Sequence, residues 1–196
     1  MIHSVRGKIL EISPVHAVID CGGIGYHLQI SLATYTAVAN KSEVSLYCHL
    51  NINGNDFSLQ LFGFATIEER DVFIKLISVS GVGPNTARMV LSGLSAYEIR
   101  QMIVAKDVDA FRRIKGIGQK TAERIIVDLH DKFSKGSEIV VEKMGTQGNN
   151  KRQEALAALT LLGLEKAKSE KMLDKLLITN ADRGLEELIK LALKQL

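Results

Sequence analysis

Apolar and polar residues change rhythm along the chain. In the first 64 residues the period is two: Val44, Leu46, Cys48, Leu50 and Ile52 alternate with Ser45, Tyr47, His49 and Asn51, the spacing of a strand with one buried face. Phe57, Leu59 and Leu61 alternate with Ser58 and Gln60 in the next run. Between the two lies Asn53-Gly54-Asn55-Asp56, a hairpin signal because Asn and Gly tolerate the positive φ of tight turns. Ile9–Ile12, Val15–Ile19 and Tyr26–Ile30 read as three earlier strands, separated by Ser13-Pro14 and Cys21-Gly22-Gly23. Five short strands in so few residues predict a small closed barrel, whose closure leaves no exposed edge.

From Thr66 the period becomes helical. Thr66 with Glu69 reads as a capping box, and Val72, Phe73, Leu76 and Ile77 share one face behind it. Residues 134–150 are rich in Gly, Ser and Asn, with Ile139–Val141 as their only apolar run, and read as a flexible linker. Arg152–Leu162, Glu165–Leu177 and Asp182–Leu193 then predict three short helices, broken at Gly163 and at 180–182. The expected architecture is α+β: an OB-fold-like five-stranded barrel over 1–64, a helical domain over 65–133, a linker over 134–150, and a small three-helix docking bundle over 151–196.

The helical middle repeats itself. Ser80-Gly81-Val82-Gly83-Pro84-Asn85-Thr86-Ala87-Arg88 precedes Lys115-Gly116-Ile117-Gly118-Gln119-Lys120-Thr121-Ala122-Glu123 by 35 residues, and Leu94 and Leu129 stay in register. Each copy sits between apolar helical stretches, so the unit is helix, tight Gly-X-Gly turn, helix: a helix-hairpin-helix, twice. Two glycines let the backbone turn sharply and expose its N–H groups. The following helix begins there, with unpaired amides and the positive end of its dipole facing outward. Such a corner receives one phosphate and is indifferent to the base. The predicted contacts are Gly81, Val82, Gly83, Asn85, Thr86 and Arg88 in the first copy. In the second they are Lys115, Gly116, Ile117, Gly118, Lys120, Thr121 and Arg124. Ala87 and Ala122 are small enough for close helix packing. The second copy carries more cations and is the expected stronger binder.

Charge sharpens this picture. The chain has 25 basic and 22 acidic side chains, a net +3, which alone names no partner. By segment, 1–64 holds three basic and four acidic residues, 65–133 eleven and nine, and 151–196 nine and seven, so the basic excess lies in the helical parts. Other chemistries are missing. Gly22, Gly23 and Gly25 are not followed by the Lys-Ser/Thr of a P-loop, so no ATP hydrolysis is expected of this chain. The five histidines lack metal-ligand spacing, Asp128 and Asp131 read as a solvated helix face, and no metal, cofactor or catalytic residue is predicted. Two cysteines, Cys21 and Cys48, are too few for a disulfide framework. No apolar run approaches the ~20 residues of a membrane helix, and the N-terminus lacks the apolar stretch of a signal peptide. A cytoplasmic protein with buried thiols is expected.

Val5-Arg6-Gly7, Gly22-Gly23-Ile24-Gly25-Tyr26, Leu61-Phe62-Gly63-Phe64, Gly81-Val82-Gly83-Pro84 and Gly116-Ile117-Gly118-Gln119-Lys120-Thr121-Ala122-Glu123-Arg124 resemble, in order and over the whole chain, the RuvA family of Holliday-junction-binding subunits. The resemblance implies a homotetramer, or an octamer when a second tetramer closes over the DNA, holding a four-way junction open with its hairpins on arm phosphates. It implies a turn of the barrel, Asn53, Gly54, Asn55 and Asp56, acting as a pin at the crossover. It also implies partners: the hexameric ATPase RuvB, docked by the C-terminal domain around Leu162, Gly163 and Leu164, and the junction nuclease RuvC. The family's pin carries two adjacent acids where this chain has Asp56 alone, and Asn85 stands where relatives often have Lys. A different class, a DNA glycosylase or lyase, would use Lys120 as a Schiff-base nucleophile with an acid some eighteen residues on. Here that place holds Glu138, in the predicted linker.

Overall fold

The computed structural model describes residues 2–53, 57–134, 147–179 and 183–194. The chain divides into two compact units, Met1–Glu138 and Ile139–Leu196. In the first, strands β1 (Ser4–Ile12), β2 (His16–Asp20), β3 (Gly25–Ile30), β4 (Glu43–Ile52) and β5 (Leu59–Phe64) close a barrel in the order β1-β2-β3-β5-β4. All pairings are antiparallel except β3 with β5. Its core is Val5, Ala17, Ile19, Leu28, Ile30, Val44, Leu46 and Cys48, the inward half of the period-two pattern. Burial pushes the Cys48 thiol up to about 11, so it stays protonated; Cys21 is half-buried.

Three readings of this region change. β5 begins at Leu59 rather than Phe57: the Asn53 amide donates to the Ser58 carbonyl at 3.0 Å, closing the hairpin, and Phe57 is exposed with φ 54°. A helix, α1 (Leu32–Val38), stands between β3 and β4. Its Thr-rich, β-branched sequence gives little helical signal. Glu69 does not complete a capping box. Its amide donates to Thr66 Oγ1 at 3.1 Å, but its carboxylate is buried and accepts from Ser31, the N-cap of α1, and from Thr34 Oγ1 at 2.7 Å. One carboxylate therefore ties α1 to α2 (Ile67–Ile77). Glu69→Gln turns one acceptor into a donor facing a buried hydroxyl. The expected loss is about 2 kcal/mol, read as a lower midpoint in urea unfolding with m unchanged.

After α2 come α3 (Pro84–Gly93), α4 (Ala96–Val104), α5 (Val108–Arg112) and α6 (Gln119–Ser134). They bury Val72, Phe73, Leu76, Val90, Leu91, Ile99, Phe111, Ile125 and Leu129 in one core. Phe62 and Phe64 of β5 join it, each ring 4.9 Å from that of Phe73. The barrel thus presents part of its own wall to the helices, which holds the doubled hairpin on a rigid base.

The second unit is α7 (Gln147–Leu161), α8 (Lys166–Thr179) and α9 (Leu185–Lys194), packed around Ala155, Leu159, Leu173, Leu176, Leu188 and Ala192. Arg152 on α7 pairs with Asp174 on α8 at 2.7 Å. α7 starts five residues before the predicted helix, inside the stretch read as linker; residues 135–146, with Ile139–Val141, lie outside the described residues. Among the described residues no helix is long and apolar enough to cross a membrane, and no group of His, Cys, Asp or Glu could hold a metal ion.

Candidate nucleic-acid interface

The two hairpins have nearly superimposable hydrogen bonding. In the first, the Val82 amide donates to the Val79 carbonyl at 3.0 Å; in the second, Ile117 donates to Ile114 at 3.1 Å. Gly81 and Gly116, the third residue of each turn, both have φ of 90°, a conformation that favours glycine. The helix after each turn opens with the same bond, Ala87 to Gly83 and Ala122 to Gly118, both at 3.0 Å. Helix geometry then leaves the preceding amides outside the ladder: Gly83, Asn85 and Thr86 in the first copy, Gly118, Gln119, Lys120 and Thr121 in the second. Pro84 contributes no N–H. Gly83, the N-cap of α3, receives no side-chain cap. Gly81, Gly83, Gly116 and Gly118 are exposed, and a Cβ on Gly83 or Gly118 would meet nothing within 4 Å.

The predicted residues divide by where they point. Asn85, Lys115 and Lys120 are exposed beside the free amides, and Thr86 and Thr121 are half-buried in the first turn of each helix. Val82 and Ile117 are buried and their amides already close the turns, so they shape the corner from inside. Arg88 turns away from the first corner: its Nη1 donates to the Val15 carbonyl of the barrel at 3.0 Å, and burial holds its pKa below the usual arginine range. Together with the bond from the Leu32 amide to Ser92 Oγ at 3.1 Å, it braces α3 against the barrel. Arg124 also leaves its own copy, donating from Nη1 to the Ser80 carbonyl of the first turn at 3.3 Å. Residue spacing gives no hint of either destination, because both partners are backbone carbonyls distant in sequence.

Of the predicted pin, Asn53 directly follows β4, its amide closing the hairpin; Gly54, Asn55 and Asp56 lie outside the described residues. In the second unit Gly163 has φ of 92° and ends α7, its amide donating to Thr160 and that of Leu164 to Leu159. Leu162 is 61% exposed beside Leu161 at 88%, while Leu164 is half-buried against the bundle core. Of the predicted docking trio, Leu162 thus presents an apolar side chain to solvent and Leu164 turns inward. Leu161, which the sequence reading did not include, is the more exposed neighbour. Glu138, the acid that the glycosylase reading needs, lies outside the described residues.

Domain models match three stretches of this sequence, and full-length relatives align with all of it. Residues 1–63 match the RuvA N terminal domain, 73–131 the SAM-like Helix-hairpin-helix tandem, and 150–196 the RuvA, C-terminal domain. The sequence is 42% identical over 199 residues to the Holliday junction branch migration complex subunit RuvA of Christiangramia forsetii. It is 44% identical over 203 residues to the protein of that name from Bacteroides fragilis and 42% over 196 to that from Flavobacterium psychrophilum. Each alignment covers the whole of both chains.

Proposed function

The chain belongs to the RuvA family, and from that premise we propose that it binds four-way DNA junctions through backbone phosphates and holds them open for branch migration. The observation that carries this reading is the pair of corners, 35 residues apart, each presenting unpaired main-chain amides at a helix start with lysines beside the second. Amides at a helix N-terminus favour an anion irrespective of sequence, as a protein acting on junctions of any sequence requires. The sites are Gly81, Gly83, Asn85 and Thr86, and Lys115, Gly116, Gly118, Lys120 and Thr121. The assembly is a homotetramer or octamer, with the turn Asn53–Asp56 at the crossover. The exposed Leu161 and Leu162 form the docking point for the hexameric RuvB ATPase, which supplies the energy, and RuvC cuts the junction. This chain acts as the DNA-binding subunit and carries no catalytic step itself. Its place is the cytoplasm. The 1–64, 65–133 and 151–196 segments divide the work among barrel, DNA grip and docking bundle.

The test is binding to a synthetic four-way junction and to linear duplex of equal length across a salt series. Tighter binding to the junction is expected, falling steeply as salt rises; equal affinities at every salt concentration would overturn the reading. Lys120→Ala is expected to weaken junction binding by roughly 1–3 kcal/mol, to similar extents for junctions of different sequence. A glycosylase or lyase reading predicts instead a covalent adduct on abasic-site DNA after borohydride, lost in Lys120→Ala.

A further inference from the structure

The shift of 35 positions that relates the two hairpins carries Met89 onto Arg124. Each of these residues reaches into the other copy's turn. The Met89 Cε lies 3.1 Å from where a Cβ on Gly116 would stand, and Arg124 donates to the Ser80 carbonyl beside Gly81. The contact is reciprocal, but its chemistry differs: a methyl group in one direction, a guanidinium in the other. The charges of the two turns match this asymmetry. Ser80 through Thr86 contains no basic residue, and Arg88 is committed to the Val15 carbonyl. The second turn has Lys115 and Lys120 of its own, so Met89 brings it nothing that it lacks.

Resting on the reading that both turns hold phosphates, we propose that Arg124 is the cation of the first corner rather than of the helix that carries it. A guanidinium has five N–H donors in a fixed fork. The bond to Ser80 uses one and leaves the others for a phosphate held at the same turn. Salt should weaken the resulting phosphate contact as it does any charge-assisted one. The same bond ties α6 to the first turn, so one side chain both charges that corner and fixes its distance from the second. Asn85, at the position equivalent to Lys120, is thereby relieved of supplying charge.

Arg124→Met copies into the second repeat the residue of the first. Arg124 is exposed, and an unchanged melting temperature would show that the fold persists. Affinity for a four-way junction at low salt is expected to fall about tenfold, and the slope of log K against log salt to become shallower by about one. Arg124→Lys should keep most of both. In the Arg124→Met background, Asn85→Lys returns a charge to the first turn and should recover at least half of the lost affinity on a logarithmic scale. Met89→Arg in that background places the charge on the second turn and should recover less. Wild-type affinity and slope in Arg124→Met would overturn the proposal, as would equal recovery by Met89→Arg or no recovery by Asn85→Lys. A wild-type chain with no preference for the junction would sink the underlying reading, a failure visible before any variant is compared.

Discussion

Gly7→Ala is expected to lower the melting temperature of the barrel-bearing unit by roughly 10 °C, the cost of about 3 kcal/mol or more of overpacking. A Cβ on Gly7 would stand 1.8 Å from the Asp20 carbonyl oxygen and 2.8 Å from its carbon, and both are backbone atoms that no rotamer change can move. Asp20 is also pinned, because its Oδ1 accepts from the Gly23 amide at 2.7 Å in the turn that joins β2 to β3. Relief therefore requires β1 and β2 to separate where Lys8 faces Asp20 and Ile9 faces Ile19. In a closed barrel that displacement spreads to β4, which pairs with Gly7 on its other edge. Thermal unfolding followed by circular dichroism checks it. Gly93→Ala is the control: it ends α3, its Cβ would meet nothing within 4 Å, and alanine there should be neutral or slightly stabilising. A Gly7→Ala protein melting within 2 °C of the parent would show that the barrel tolerates the intrusion.

Gly7 also marks how far the sequence could be read. As part of Val5-Arg6-Gly7 it contributed to a family likeness, but its physical role depends on an oxygen thirteen positions away. The same holds for most of what periodicity did not reveal. Alternation along β4 is a local property, and the inward set Val44, Leu46 and Cys48 is buried as the period requires. The alternation of Phe57 with Leu59 was equally regular, yet Phe57 falls in the turn because the Asn53 to Ser58 bond closes the hairpin first. α1 was illegible because its anchor, Glu69, is 38 residues beyond Ser31. Glu69 in turn looked like a local cap because nothing near it in sequence announced the buried hydroxyls it serves.

The candidate site shows the same division. Glycine spacing and the Thr-Ala that follows fixed the corners, because positive φ and a helix start are decided within a few residues. The destinations of the arginines were not fixed. Arg88 and Arg124 belong by sequence to the corners they follow, yet each donates to a carbonyl supplied by another element, Val15 and Ser80. A long flexible cation has no preferred direction until packing supplies acceptors.

Valine at both Gly83 and Gly118 is expected to weaken junction binding by roughly 3–4 kcal/mol, a factor of about 10² to 10³, while moving the melting temperature little. Neither glycine is among those with positive φ, and Gly83 sits at φ −82°, ψ 167°, an extended conformation that suits a β-branched residue. A Cβ at either site meets no atom of the chain within 4 Å, so the folded state has room for it. That room is what a phosphate needs. Each of these amides is outside the helical ladder, and a branched side chain on the same residue occupies the space in front of it. Gly81 and Gly116 make the contrast: with φ of 90° they resist valine through backbone strain, so Gly81→Val with Gly116→Val should lose stability together with binding. Junction titration at low salt, alongside thermal melts of both double variants, separates steric exclusion of the ligand from damage to the fold. If valine at 83 and 118 left both affinity and melting temperature intact, the main-chain amides could not be what holds the DNA.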